Sequence, residues 1–183
     1  MKVAIAAYGA GNVRSVELAL QRLGAETGLA HEPGPLLDAD LAVLPGVGSA
    51  ASAMAGLRAR GLDEALRERA ATGGPILGIC LGLQLALDET EEDGGVAGLG
   101  LVPGRVTRLE AERVPRIGWA RVEPGGDAYW FAHSYEARTD ATVATSEGHA
   151  AIVEHGAFTG VQFHPEKSGA AGIRFLRRCL SRA

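Results

Sequence analysis

The chain has 183 residues, of which 46% are hydrophobic and 22% charged, a composition typical of a soluble globular protein. Its formal net charge of -4 argues against broad binding to nucleic-acid phosphates, because that needs a basic surface. There is no apolar run of the roughly 18 residues that a membrane span needs, no signal-peptide pattern, and only two cysteines. We therefore expect a cytoplasmic protein with a single domain over residues 1–183.

The first half of the chain alternates predicted strands and helices. Buried strands are predicted at Lys2–Ala7, Glu26–Ala30, Leu41–Leu44 and Pro75–Ile79. Apolar residues at helical spacing predict a helix from Val13 to Gly24, helical structure over Ala50–Ala70 with a break near Gly61, and a helix over Leu81–Leu87. Between them, Pro33, Gly34 and Pro35 indicate turns. The alternation predicts an α/β fold with a mostly parallel central sheet and helices on both faces.

The second half changes character, because short apolar segments are separated by Gly, Pro and Asp. The predicted strands are Gly104–Leu109, Arg116–Val122, Tyr129–His133, Ala141–Thr145, Ala151–Glu154 and Thr159–Phe163. This pattern predicts a mixed or antiparallel β region added to the first half. Ile173, Leu176 and Leu180 mark a closing helix.

Cys80 is the first candidate catalytic residue. It lies in Gly78-Ile79-Cys80-Leu81-Gly82, between a buried strand and a helix, which is the pattern of a nucleophile elbow with Cys in place of Ser. Such a turn presents the sulfur at the carboxyl edge of the sheet, and the helix N-terminus favours the thiolate. The alternative is that Cys80 is a small buried apolar residue, which is common for free cysteine.

A candidate base follows the last predicted strand, in Gln162-Phe163-His164-Pro165-Glu166. A nucleophilic thiol needs a base, and the base needs an acceptor that orients it. Pro165 favours extended geometry at His164, and residues i and i+2 of an extended chain face the same way. His164 and Glu166 are therefore predicted to project together.

No cofactor or metal site is predicted. Gly9-Ala10-Gly11 follows a strand, but Arg14 stands where a dinucleotide-binding fingerprint has its third glycine. The spacing of His and Cys residues is not that of a zinc site.

Together, the cysteine elbow and the His-Pro-Glu segment resemble the class I (triad) glutamine amidotransferases. Further segments resemble the glutaminase subunits of imidazole glycerol phosphate synthase within that class. These segments are Tyr8–Ser15, Leu44–Gly48, Val114–Trp119, His133–Tyr135 and His164–Gly169. The resemblance spans the chain and implies a flavodoxin-like class I amidotransferase fold.

The resemblance also implies a role for each matching residue. Cys80 would attack the glutamine carboxamide, His164 would be the base and then the acid, and Glu166 would orient His164. The amide of Leu81 and the Gly46–Val47 peptide would stabilise the oxyanion, the latter after reorientation on activation. The residues that would hold glutamine are Gly48, Gln84, Glu92, Ser134 and Tyr135.

A partner is implied as well: a cyclase subunit with a (β/α)₈ barrel, which would receive the ammonia and make imidazole glycerol phosphate. The residues expected to face it are Asn12, Arg14, Trp119 and Lys167. The chain departs from the family pattern at Ala7, where Asp is usual, at Ala120, where Asn is usual, and at Ala50, where an aromatic residue is frequent. It is also short around Glu123–Tyr129.

Two other functions stay open at this point. One is the glutaminase of another triad amidotransferase, which the Tyr8–Ser15 and Lys167-Ser168-Gly169 segments disfavour. The other is a non-catalytic relative that keeps the fold as a regulatory module. Such a relative need not retain Cys80, His164 and Glu166 together, and all three are present.

Overall fold

The computed structural model describes residues 1–9 and 12–183; Ala10 and Gly11, which belong to the Tyr8–Ser15 segment, lie outside the described residues. The first half alternates strands and helices as predicted. Its strands are β1 (Lys2–Ala6), β2 (Glu26–Ala30), β3 (Leu41–Leu44) and β4 (Ile76–Ile79). Its helices are α1 (Val13–Gln21), α2 (Pro33–Asp38), α3 (Ala50–Arg58), α4 (Leu62–Ala71) and α5 (Leu81–Leu85).

The second half is mostly β-structure and ends in a long helix. Its strands are β5 (Glu89–Thr90), β6 (Val96–Ala97), β7 (Arg105–Arg108), β8 (Arg116–Arg121), β9 (Ala128–His133), β10 (Tyr135–Arg138), β11 (Thr142–Ser146), β12 (His149–His155) and β13 (Phe158–Val161). Single 3-10 turns occupy Glu92–Gly94 and Pro165–Lys167, and α6 (Gly169–Arg182) closes the chain. Among the described residues, no helix is both long and apolar enough to cross a membrane.

The strands of the main sheet are arranged in the order β11-β12-β13-β4-β3-β1-β2. The five strands from β13 to β2 are parallel, and β12 and β11 are added antiparallel at one edge. The prediction of a mostly parallel α/β sheet with added mixed strands is therefore confirmed. A smaller mixed sheet has the order β10-β7-β5-β6, and β8 and β9 form a separate antiparallel ribbon.

Three local predictions were wrong or incomplete. The last predicted strand is not part of an added region: β13 lies beside β4 in the parallel sheet, with both faces of the strand buried. The turn region at 31–40 contains α2, because proline in the first turn of a helix removes only amides that have no partner there. Strands β5, β6 and β10 were missed, the first two because they have only two residues each.

Helices cover both faces of the main sheet, so the described part of the chain has two hydrophobic cores. Alternate residues of β1 belong to different cores. Val3 and Ile5 pack with α1 and α6, whereas Ala4 and Ala6 pack with α3 and α4. The β8–β9 ribbon packs on the first of these faces, through Tyr129 and Phe131. Because helices cover both faces of the parallel sheet, the edge formed by the carboxyl ends of its strands is left accessible for ligands.

Three neighbouring strands end together at that edge. Leu44 of β3 pairs with Gly78 of β4, and Ile79 of β4 pairs with Val161 of β13. The segments that follow these strands therefore lie side by side, although they are far apart in sequence.

Candidate active site

Cys80 lies at a sharp turn between β4 and α5. Its backbone has φ 53° and ψ -108°, which is a strained conformation for any residue other than glycine. The turn is held by the Cys80 amide, which donates to the Val161 carbonyl at 2.7 Å. Because α5 begins at Leu81, the cysteine is at the N-terminal end of that helix, as an elbow requires.

His164 and Glu166 project together, as their spacing predicts. His164 Nδ1 lies 3.0 Å from Glu166 Oε1, and both side chains are almost fully buried. Asn12 Nδ2 donates to the same carboxylate oxygen at 2.8 Å. The carboxylate therefore fixes Nδ1 as the protonated nitrogen and leaves Nε2 for the sulfur.

The electrostatics at His164 favour the imidazolium. Burial alone lowers the pKa of His164, but hydrogen bonds to Cys80 and Glu166 and the charges of these two groups outweigh burial and raise that pKa well above its ordinary value. The ring is thus set to keep a proton beside Cys80.

The backbone of His164 is tied to the β8–β9 ribbon. Its amide donates to the Trp130 carbonyl at 2.9 Å. Ser168 Oγ donates to the His164 carbonyl at 2.6 Å and accepts from the Trp130 amide at 2.9 Å. These three bonds fix the position of His164 relative to β9.

A cavity of about 280 Å³ opens above Cys80. The residues that line it are Val47, Gly48, Cys80, Leu81, Gln84, Glu92, Pro115, Ile117, Ala132, His133, Ser134, Tyr135, His164 and Lys167. The structure thus brings all five residues predicted to hold glutamine to one cavity with the predicted nucleophile and base. Asn12, Gly46 and Glu166 lie just behind it, around a much smaller cavity.

The loop after β3 packs directly on the start of α5. A Cβ atom on Gly46 would lie 2.5 Å from Leu81 Cβ and 2.7 Å from the Gly82 amide nitrogen, so only glycine fits there. The Tyr8 hydroxyl donates to the Pro45 carbonyl at the other side of the loop. This close approach places the Gly46–Val47 peptide beside Leu81, where two amides could serve one oxyanion.

Glu92 lines the same cavity. Its carboxylate accepts from the Ala50 amide at the start of α3, at 3.0 Å. Burial raises the pKa of Glu92, the Ala50 amide opposes that rise, and the charge of Asp93 adds to it. A half-buried carboxylate with oxygen capacity to spare is suited to an ammonium group of a ligand.

Two residues of the site had no predicted role. Gln162, which is fully buried, donates from Nε2 to Cys80 Sγ at 3.6 Å. His133 also lines the cavity, and its Nδ1 lies 2.9 Å from the Tyr135 carbonyl. Gln162 is two residues before His164, so the i, i+2 spacing that pairs His164 with Glu166 also predicts that Gln162 projects to the same side of the chain. This spacing is the sequence signal that could have identified Gln162 as a site residue.

One face of the β8–β9 ribbon is apolar and exposed at the rim of the cavity. Ile117 is 63% exposed and Trp119 57% exposed, and Trp119 lies edge-on against Trp130 with ring centroids 6.0 Å apart. Because Ile117 also lines the cavity, this patch is continuous with the site. Large exposed apolar residues grouped in this way mark interaction surfaces.

The other predicted interface residues are dispersed around the same edge. Lys167 lines the cavity, Asn12 binds Glu166, and Arg14 is largely exposed, with its guanidinium 2.6 Å from the carboxylate of Glu17. A second cavity of about 480 Å³ lies around the C-terminal end of α6 and is lined by none of the predicted catalytic residues.

Comparison with known proteins agrees with this geometry. The family model for glutamine amidotransferase class-I matches residues 10–183. The chain is 44% identical to imidazole glycerol phosphate synthase subunit HisH of Moorella thermoacetica, over 96% of this chain and 92% of that one. It is 42% identical to imidazole glycerol phosphate synthase hisHF, chloroplastic, of Arabidopsis thaliana, over 94% of this chain and 33% of that one.

Solved structures show the same fold at lower identity. A glutamine amidotransferase crystal structure superposes with a TM-score of 0.83 at 21% identity, covering 99% of each chain. PurLQS from Thermotoga maritima superposes with a TM-score of 0.78 at 19% identity, covering 99% of this chain and 98% of the other.

Proposed function

This chain belongs to the class-I glutamine amidotransferases, among the HisH subunits of imidazole glycerol phosphate synthase, and from that premise we propose how its residues hydrolyse glutamine and for which partner. The observation that carries the proposal is that Cys80 and His164 line one cavity, with Glu166 behind the ring at 3.0 Å from His164 Nδ1 and the cysteine on a strained elbow. The products are glutamate and ammonia, and the ammonia is passed to a cyclase subunit in histidine biosynthesis.

The first half-reaction makes a thioester. The Cys80 thiolate attacks the carboxamide carbon of glutamine, and the amides of Leu81 and Val47 stabilise the negative oxygen that forms. The His164 imidazolium gives its Nε2 proton to the leaving nitrogen. The carbon–nitrogen bond then breaks, and ammonia leaves a γ-glutamyl thioester and a neutral His164.

The second half-reaction restores the enzyme. Neutral His164 takes a proton from water, the resulting hydroxide attacks the thioester, and the carbon–sulfur bond breaks. Glutamate leaves, and the thiolate–imidazolium pair is regenerated. The pKa of His164, which Cys80 and Glu166 raise against the effect of burial, suits a group that holds this proton between cycles.

The substrate is positioned by the cavity walls. Glu92 accepts from the α-ammonium group of glutamine, while Gln84, Ser134, Tyr135 and Gly48 hold the rest of the molecule. No cofactor or metal ion takes part in these steps, because the thiolate and the imidazolium supply the nucleophile and the proton.

A (β/α)₈ cyclase binds over Ile117 and Trp119, at the rim of the cavity. Ammonia released at Cys80 would then enter the partner without crossing bulk water, react with its nucleotide, and yield imidazole glycerol phosphate and AICAR. The Arabidopsis relative supports such a pairing, since this chain spans only 33% of it and the remainder is long enough for a barrel. The compartment we propose is the cytoplasm, where two unpaired cysteines stay reduced.

The isolated chain should hydrolyse glutamine slowly. One missing oxyanion donor costs roughly 10²–10³ in rate, and the Gly46–Val47 peptide has to turn its amide toward the substrate before it can donate. Binding of the cyclase with its nucleotide favours the competent conformer. Steady-state glutaminase rates for the chain alone, with cyclase, and with cyclase plus nucleotide test this, and full activity in the isolated chain would contradict it.

The nucleophile is tested by covalent labelling. The glutamine analogue 6-diazo-5-oxo-norleucine should add once, at Cys80, because Cys179 is packed against the core and burial raises the pKa of Cys179 to about 12. Peptide mapping locates the label, and a label on Cys179 alone would exclude the mechanism. In the complex, Cys80→Ala should abolish synthesis from glutamine and leave synthesis from added ammonia intact.

A further inference from the structure

Gln162 and Gln84 form a buried pair of amides that connects the substrate cavity to the nucleophile. Gln84 Nε2 lies 2.9 Å from the Tyr135 carbonyl and 3.0 Å from Gln162 Oε1. Gln162 Nε2 lies 3.6 Å from Cys80 Sγ. A continuous series of contacts therefore runs from Tyr135, which lines the cavity, to the sulfur.

The direction of these hydrogen bonds is set by one backbone group. The Tyr135 carbonyl can only accept, so the Gln84 atom that faces it must be the amide nitrogen. The second contact of Gln84 Nε2 is with the side-chain amide of Gln162. Because the nitrogen donates, the Gln162 atom that faces it must be the acceptor, Oε1. The remaining Gln162 group, the NH₂, must then face Cys80 Sγ, and the other assignment would place two donors or two acceptors together.

Two protein groups with opposite preferences thus face the sulfur beside His164. The Ala132 carbonyl lies 3.9 Å from Sγ and can only accept, so it favours the thiol. Gln162 can only donate in this orientation, so it favours the thiolate. The Gln162 contact is the shorter one, and its donor is fully buried, where a charged sulfur has few other partners.

We propose that Gln162 is the hydrogen-bond donor that stabilises the Cys80 thiolate, and that Gln84 keeps the Gln162 amide in the orientation that makes this possible. The inference rests on the proposed function, in which Cys80 is the nucleophile. It gives Gln84 a second role beyond contact with glutamine, since it also determines which end of Gln162 faces the sulfur.

The test measures the titration of Cys80 in the full chain, in a Cys179→Ser background that leaves one thiol. Rates of alkylation by chloroacetamide are recorded against pH, and the midpoint reports the thiol–thiolate equilibrium. Gln162→Met keeps the length of the side chain without the donor. Gln162→Asn keeps an amide but withdraws it by one methylene. Neither substitution introduces a charge near the sulfur. A shift in the midpoint of either folded variant therefore reports the loss of the hydrogen bond, and one folded variant is enough for the test.

We expect each variant to raise the alkylation midpoint by about one pH unit, which is a loss of about tenfold in the thiolate-to-thiol ratio at a given pH below the midpoint. The rate at high pH, where the thiol is fully ionised, should stay within about twofold of the parent. Gln21→Met provides the matched control, because the side chain of this exposed glutamine on α1 bonds only to Thr27 among the described residues, and the change should leave the midpoint unchanged.

A folded Gln162→Met or Gln162→Asn variant with the parental midpoint would overturn the proposal. Circular dichroism and thermal unfolding identify the folded variants. Glutaminase activity of the parent with cyclase and nucleotide is measured in parallel. Absence of that activity would count against the proposed function, whereas an active parent with an unchanged variant midpoint would count against the role of Gln162 alone.

Discussion

At the scale of single residues, the site depends on groups whose protonation is set by their neighbours. His164 is held between Cys80 and Glu166, which raise its pKa despite burial. His133 is in the opposite situation: burial lowers its pKa to about 4, the Tyr135 carbonyl opposes this, and the charges of Arg116, His149 and His164 add to it. Two histidines in one site thus differ in charge at neutral pH, one suited to proton transfer and the other to fixed hydrogen bonding.

His164→Asn in the complex should lower the glutaminase kcat by roughly 10⁴-fold or more, because the ring that delivers the proton to the leaving nitrogen is lost. Glu166→Gln should cost less, since the ring is then misoriented but present. Because the residues act as a unit, the double variant should be little worse than His164→Asn alone. Single and double losses that multiply in full would show that the two residues act independently.

The low pKa of His133 should make folding stability depend on pH. The unfolded chain binds a proton at His133 below its ordinary value of 6.5, whereas the folded chain does not until about pH 4. The contribution of His133 to the free energy of unfolding should therefore fall as the pH is lowered through this window, by about 2 kcal/mol between pH 8 and pH 5. The raised pKa of His164 contributes with the opposite sign, so the effect of His133 is taken from the difference between proteins with and without it.

His133→Gln, which stays neutral, should remove that part of the slope. Denaturant unfolding of the parent and the variant at pH 8 and pH 5 measures it. The comparison is made within each protein, so a constant loss of stability in the variant does not affect the result. Equal slopes in the two proteins would contradict the assignment.

At the scale of secondary structure, the site depends on how closely α5 approaches the ends of the strands. Gly82 lies in the first turn of α5, and a Cβ atom there would collide with the Leu44 carbonyl at the end of β3. Gly46 makes the corresponding approach from the loop side. Gly82 therefore serves the packing of the helix on the sheet as much as the turn at Cys80.

Gly82→Ala should displace α5 from β3 and destabilise the fold by about 1–3 kcal/mol, because the atom it would meet is backbone and has no freedom to move away. Glutaminase activity should fall as well, since Leu81 and Cys80 move with the helix. Gly28→Ala is the matched control: Gly28 lies in β2, its φ is not in the left-handed region, and a Cβ there meets open space.

The free energy of unfolding of the two variants, measured with denaturant, distinguishes a steric clash at Gly82 from a general loss of stability on replacing glycine. The control should stay within about 0.5 kcal/mol of the parent. A Gly82→Ala variant as stable as Gly28→Ala would show that α5 is not held as closely as the structure indicates.

At the scale of the whole molecule, the open edge of the main sheet and the outer face of the β8–β9 ribbon form one surface. Ile117 belongs to both the cavity and the exposed apolar patch, so a partner that covers the patch also closes the cavity. The three hydrogen bonds between His164, Ser168 and Trp130 connect that same ribbon to the base. If the cyclase docks on this patch as proposed, partner binding and catalysis share one structural element.

Trp119→Ala should weaken binding of the cyclase by about 30-fold or more, since exposed aromatic residues at the centre of a patch carry much of the binding energy. Titration calorimetry with the cyclase measures the dissociation constant. Labelling of Cys80 in the isolated chain should be unchanged, because Trp119 does not line the cavity.

Leu29→Ala is the control for this surface. Leu29 is 43% exposed on β2, the last strand at the other end of the main sheet, and its removal should leave cyclase binding within about twofold of the parent. Equal effects of the two substitutions would exclude the patch as the docking surface.

The sequence by itself determined most elements of the first half and the chemistry of the catalytic segments. Apolar spacing predicted the strands of the first half to within one residue at each end, and the break at Gly61 falls between α3 and α4. The elbow around Cys80 and the pairing of His164 with Glu166 also followed from local rules, because a turn, a proline and an i, i+2 spacing act within a few residues.

Only the tertiary structure determined which of these segments contact one another. The insertion of β13 beside β4 brings Gln162 to Cys80, 82 residues away, and the direction of the Gln162 amide depends on a carbonyl of Tyr135 in a different sheet. Strand order and side-chain partners depend on contacts between distant segments, and the local pattern of a segment carries no information about which neighbour it will have. The sequence therefore specified the reacting groups, and the packing of the sheet specified which of them act on one another.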